Sequence, residues 1–161
     1  MKSLFTIHAG EFVVGEYIQK HHRGVNLWLP AKDTGIDLLI TDSKNQKTVS
    51  LQVKFSRDYS AKHIPPTPLK PFRACNWWTL NRQKLADSKA DYWVLVLMGF
   101  ERRGMDFVVI KPSELLARLD KIHGKAKTIQ SYLWVTEEEC CWERCLEPLA
   151  ALLGLKERVH A

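Results

Sequence analysis

The stretch Gly35-Ile36-Asp37-Leu38-Leu39-Ile40-Thr41-Asp42-Ser43-Lys44-Asn45-Gln46-Lys47-Thr48-Val49-Ser50-Leu51-Gln52-Val53-Lys54-Phe55 reads as two strands around a polar loop. Residues 36–42 form a strand with alternating branched side chains, residues 43–47 the loop and residues 48–55 the second strand, so 36–55 is a β-hairpin. Residues two apart on a strand share a face, so Gln52 and Lys54 point one way while Leu51, Val53 and Phe55 point the other. A four-residue loop sets Asp37 opposite Gln52 or Lys54 and on their face; a loop of three or five residues sends it to the other face.

An aspartate, an amide oxygen and a lysine gathered on one hairpin suit metal-assisted phosphodiester hydrolysis. Asp37 supplies hard anionic oxygen to Mg2+ or Mn2+, Gln52 adds a neutral oxygen, and waters complete the shell. Lys54 is suited to hold the attacking water or to stabilise charge developing on the phosphate. Asp33, in the preceding turn, is a rival ligand; the strand position of Asp37 sets it better against Gln52.

Outward from the hairpin, residues 9–23 read as a helix, with Ala9, Phe12, Val13, Tyr17 and Lys20 at helical spacing and Gly24 as terminator. Val14 and Ile18 extend its apolar surface, so most of it is expected to be buried. Glu16 falls between Phe12 and Val13 in projection, where a carboxylate needs a partner or a cation. Residues 25–29 read as a short strand and 30–35 as a turn. Pro65, Pro66, Pro68 and Pro71 mark an extended segment. Residues 76–89 read as a helix through Trp77, Leu80 and Lys84, 92–98 as a buried strand, and 107–110 as its hairpin partner. Pro112-Ser113-Glu114 opens a helix reaching residues 123–124, residues 132–135 form a short strand, and 137–145 and 148–158 read as short helices. The alternation of strands and helices predicts an α/β fold in one domain spanning residues 1–161, with a core over about 9–110 and a C-terminal α/β extension over about 111–161.

The net charge of +6 is unevenly spread. Residues 54–84 hold seven Lys or Arg against the single acid Asp58, whereas residues 137–161 carry six acids against three bases. A positive stretch interleaved with Tyr59, Phe72, Trp77 and Trp78 suits a surface that follows phosphates and stacks on bases. Arg57, Lys62, Lys70, Arg73, Arg82 and Lys84 are its expected phosphate contacts; His63 reads as a solvated loop residue. Cys75, Cys140, Cys141 and Cys145 lack the spacing of a disulfide scaffold or zinc ribbon and read as reduced thiols, and the N-terminus lacks the pattern of a signal peptide, so a cytoplasmic location is expected. The longest apolar run, residues 92–98, is too short to span a bilayer, so no membrane partner is expected. The chain has no G-x-x-x-x-G-K-[ST], G-x-G-x-x-G or G-x-S-x-G signature, which leaves nucleotide-driven, dinucleotide and hydrolase-elbow chemistry without support.

The order of a helix with Glu16, then Gly35-Ile36-Asp37, then Gln52-Val53-Lys54 resembles the PD-(D/E)xK nuclease superfamily over roughly residues 9–90. The resemblance is nearest to the branch with Gln at the acidic position, as in Mrr-type restriction enzymes and small resolvase-like or homing-endonuclease-like proteins. It implies a restriction-endonuclease-like αβββαβ core with a mixed central sheet and extra C-terminal helices. It also implies a divalent metal at Asp37 and Gln52, Lys54 as the catalytic lysine, and Glu16 as a helix carboxylate facing the site. The chain departs from the commonest pattern in carrying Gln52 for an acid and in lacking Pro directly before Asp37. Two functions follow. One is a Mg2+-dependent endodeoxyribonuclease acting on DNA, with RNA left open; the other is a catalytically inactive module of the same fold that binds nucleic acid or a protein. The apolar residues 149–155 read either as packing on the core or as a dimer face, and a homodimer would suit double-strand cleavage.

Overall fold

In the computed structural model, which describes residues 9–32, 34–56, 72–98 and 104–136, the hairpin closes as its polar loop requires. The strands β2 (Leu38–Asp42) and β3 (Thr48–Phe55) pair antiparallel with Leu38 opposite Leu51 and Thr41 opposite Thr48. The amide of Asp42 donates to the Lys47 carbonyl at 3.2 Å, which leaves residues 43–46 as the turn proper. Asp42 Oδ1 accepts from the amides of Gln46 (2.7 Å) and Lys47 (3.2 Å), and Asn45 takes up a left-handed φ of 54°. A short polar side chain tolerates that conformation, so one Asp and one Asn fix the register of the whole hairpin.

The hairpin forms the middle of a five-stranded mixed sheet of order β1-β2-β3-β5-β6. β1 (Val25–Trp28) lies antiparallel to β2, β5 (Tyr92–Met98) parallel to β3, and β6 (Met105–Ile110) antiparallel to β5. A parallel neighbour needs a crossover. Here it includes β4 (Phe72–Asn81) and α2 (Arg82–Ala86). β4 pairs antiparallel with β7 (Thr128–Thr136) as a separate two-stranded ribbon. β7 comes from the expected C-terminal extension, so the two portions of the chain share one hydrophobic cluster, which also takes in α3 (Pro112–His123).

The sheet is covered on both faces, and β5 is buried on both: Trp93, Val94, Leu95, Val96 and Leu97 are all 3% exposed or less. α1 (Ala9–His21) packs with Val14 and Ile18 on the face that carries Leu38, Ile40, Val49, Leu51 and Val53. The ribbon, α2 and α3 cover the other face with Ala74, Trp78, Leu80, Leu85, Leu115, Leu119 and Ile129.

Two expectations are corrected. The helix foreseen over 76–89 is a strand up to Asn81, and α2 runs only from Arg82 to Ala86. Ala74, Asn76, Trp78 and Leu80 are all buried, a period of two that pairing with β7 makes decisive over the weaker helical spacing of Trp77, Leu80 and Lys84. Asn81 starts the short helix by accepting from the Lys84 amide at 2.9 Å. In α1, Phe12 is 59% exposed and Glu16 is exposed, so Glu16 is not a buried acid. At about 100° per residue, Phe12 and Glu16 lie on the pole opposite Val14. Glycine decides which pole turns inward: a Cβ on Gly10 would sit 2.6 Å from Phe55 Cβ, so the helix lies against β3 through Gly10 where no side chain fits.

The predicted helices at 137–145 and 148–158, the proline segment, Asp33, Arg57, Lys62, His63, Lys70, Cys140, Cys141, Cys145 and the proposed dimer stretch 149–155 lie outside the described residues. Among the described residues no helix is long and apolar enough to cross a membrane.

Candidate functional site

Register decides the site. Leu38 opposite Leu51 sets Asp37 opposite Gln52, and the Asp37 amide donates to the Leu51 carbonyl at 2.7 Å. The four-residue turn therefore has the parity that brings Asp37 to the Gln52 face. The side chains meet there: Gln52 Nε2 donates to Asp37 Oδ2. The same oxygen accepts from the Val53 amide at 2.8 Å, so β3 supplies two donors to one carboxylate oxygen. Gln52 is buried and Asp37 half-buried.

Gly35 has a φ of +84°, and a Cβ there would stand 3.6 Å from Gln52 Oε1. The chain thus turns into β2 in a conformation that favours glycine, with its backbone beside the amide. Lys54 lies two residues beyond Gln52 on the same face, with Nζ 5.4 Å from the centroid of the Trp93 ring. That is within the range at which an ammonium is attracted by an aromatic face. Trp93 is buried opposite Gln52 on β5, and its indole Nε1 donates to Ser88 Oγ at 2.8 Å, which fixes the ring. Trp93 and Ser88 are absent from the sequence reading of the site. The signal for Trp93 lies in strand parity combined with the parallel pairing of β3 and β5, a long-range fact.

The face has a third polar position. Ser50 donates through its amide (2.8 Å) and its hydroxyl (2.6 Å) to Asp91 Oδ2, while the Asp91 amide donates back to Ser50 Oγ at 3.0 Å. This clamp locks the start of the parallel pair β3/β5. At the other end of β3, Ser56 Oγ donates to the Trp77 carbonyl at 2.7 Å and Asn76 Nδ2 to the Ser56 carbonyl at 2.9 Å, tying β3 to the ribbon.

Glu16 is not brought to this group. α1 packs on the opposite face of the sheet, and the Glu16 carboxylate pairs with Lys20 Nζ at 2.9 Å on the outer side of the helix. Arg82, expected to contact phosphate, is spent internally. Its Nε donates to the Ala126 carbonyl at 2.7 Å, and its two other nitrogens bond Asp120 and the Gly124 carbonyl. Lys84 is exposed on α2, and Arg73 lies on β4.

The donor set is hard oxygen. Asp37 Oδ1 and Gln52 Oε1 accept no hydrogen bond among the described residues. Among those residues no three His, Cys, Asp or Glu side chains gather as a metal group. Two such oxygens would suit Mg2+ or Mn2+ only in the sparse mode in which one or two protein oxygens hold the ion and other oxygen ligands such as water fill the rest. Gln52 presents its NH2 to Asp37, so its oxygen would reach an ion held by Asp37 only if the amide were turned by half a rotation. An apolar cleft of about 330 Å³ between α3, β5, β6 and β7, lined by Leu95, Ile110, Leu119 and Leu133, shares no residue with this group.

No family model, no curated protein and no solved structure matches the chain.

Proposed function

We propose that the protein is a metal-dependent DNA endonuclease of the PD-(D/E)xK type, with Asp37, Gln52 and Lys54 as its working residues. The observation that carries the reading is the Gln52 to Asp37 side-chain bond, on the same sheet face as Lys54. The element order supports it further: a helix, three antiparallel strands, then a crossover to a strand parallel with the third. Asp37, with the oxygen of Gln52, would hold Mg2+ or Mn2+, and the ion would lower the pKa of a bound water and polarise the scissile phosphate. Asp37 is already oriented by two donors from β3. Lys54, steadied over Trp93, offers a positive charge to the phosphate oxygens as negative charge grows there. Glu16 has no part in this proposal.

A second reading takes the same contact the other way. The Gln52 side chain and the Val53 amide satisfy Asp37 Oδ2 without a cation, which suits a fold of this type that binds nucleic acid or protein and does no chemistry. Incubation of the purified chain with supercoiled, branched and single-stranded DNA, and with RNA, in manganese and then in chelator separates the two. Cleavage that requires the metal is expected. Intact substrates in every form leave the binding reading in its place.

A further inference from the structure

The side chain of Arg82 fastens the turn after α3, and the surface around that knot is strongly basic. Besides its side-chain bonds to Asp120, Gly124 and Ala126, Arg82 donates its backbone amide to the Lys127 carbonyl at 3.0 Å. Asp120 is thereby neutralised. Lys121, Lys125 and Lys127 alternate with or flank the residues Arg82 holds, and Lys84 stands two residues along α2. All four lysines are exposed, and none of them forms an ion pair with a carboxylate among the described residues. From 118 to 127 the only acid is Asp120.

We propose that Lys84, Lys121, Lys125 and Lys127 form a phosphate-backbone docking surface for duplex nucleic acid, with Arg82 as the residue that positions it. Like charges on a held turn repel one another, and an anionic partner relieves that repulsion. Because the turn is already fastened, little ordering is left for the binding step. The inference rests on the nuclease reading only in the choice of nucleic acid as partner. Geometry favours that choice over an acidic protein. β4 leads from Trp77, where Ser56 at the end of the Lys54 strand is tied, to Arg82. Five strand residues cover roughly 17 Å at about 3.3 Å each, close to the length of about 5 base pairs of duplex. A backbone engaged at Lys54 has the reach to pass the knot.

The test is a titration of duplex DNA, with chelator present, against the wild-type chain and a K84Q/K121Q/K125Q/K127Q variant over a range of salt. A K44Q/K47Q variant in the β2/β3 turn serves as control, and thermal melts confirm folding. Neutralising four contacts is expected to flatten the slope of log affinity against log salt by about 3 to 4 and to weaken binding at least tenfold at low salt, with the control unchanged. An unaltered slope in the fourfold variant overturns the proposal. So does displacement of duplex by poly-glutamate of matched charge as readily as by unlabelled duplex, because the surface then selects charge without a nucleic-acid backbone. Failure of the wild type to nick DNA removes the nuclease reading and leaves this binding result to stand or fall by itself.

Discussion

The two faces of β3, at the middle of the central sheet, do different work. The odd residues of β3, Val49, Leu51 and Val53, seal against α1 in an apolar layer that Gly10 lets approach closely. The even residues, Ser50, Gln52 and Lys54, meet Asp91, Asp37 and the Trp93 ring in turn. Buried polar groups cost stability unless each has a partner, and here the partners come from β5, from Asp91 directly before it and from Asp37 directly before β2. The apolar face therefore tolerates no added volume, whereas the polar face tolerates none of its partners being removed.

Adding volume to the apolar face is expected to give the largest loss of stability. Gly10→Ala brings a Cβ to 2.6 Å from Phe55 Cβ, and both atoms sit on backbone that must move. A loss of about 3 kcal/mol follows from overpacking of that kind, read as a lower denaturant midpoint at an unchanged slope. A wild-type midpoint would mean that α1 does not lie against β3 as described.

Gln52→Glu sharpens the contrast on the polar face. Two carboxylates about 4 Å apart repel by about 1 kcal/mol in water and about 4 kcal/mol near a protein surface. In chelator the variant should lose about 2 kcal/mol within that range. Manganese should raise its melting temperature by more than it raises that of the wild type, because the ion then bridges two anions. Equal response of both proteins to manganese would argue against a shared metal position at Asp37 and residue 52.

These two residues also mark how far the sequence is legible. The hairpin can be read because strand alternation and loop parity are local properties, and the Asp42 and Asn45 turn that fixes them lies within the hairpin. Helix α1 can be read as a helix, but its buried pole cannot, since Gly10 and Gly15 look like weak helix positions until β3 is seen beside Gly10 and Leu27 beside Gly15. That is why Glu16 reads as buried and is exposed. Residues 76–81 carry two competing periods, and β7 settles them by pairing Trp77 with Tyr132 and Asn81 with Thr128. Trp93 is legible as a buried strand residue and illegible as the floor under Lys54, because nothing local says that β5 runs parallel beside β3. Arg82 reads as one more cation in a basic stretch; its carbonyl partners at Gly124 and Ala126 come from a distant turn.

Ser50→Ala tests the clamp at the start of the parallel pair. The Ser50 amide still reaches Asp91, but both bonds of the hydroxyl are lost, so the loss should be about 2 kcal/mol at about 1 kcal/mol net for each hydrogen bond. Faster hydrogen exchange should be confined to the first residues of β3 and β5. Uniform exchange across the sheet would assign the clamp no local role. The smallest effect belongs to the outer pole of α1. Glu16→Gln removes an exposed i,i+4 pair with Lys20 worth about 0.3 to 0.5 kcal/mol, and neither the melt nor any cleavage activity should change beyond that scale. Loss of cleavage in this variant would return Glu16 to the site.

Asp37 and Lys54 are proposed to act on a phosphodiester. Plasmid nicking in manganese by purified wild type, Asp37→Ala and Lys54→Ala, with duplex affinity measured beside it at fixed salt, tests this proposal most directly. Nicking by the wild type is expected, with a loss of at least a hundredfold in each variant and duplex affinity within a few fold of wild type, because groups in the proposed roles would act on charge that appears in the transition state. Equal nicking by wild type and Asp37→Ala would contradict it.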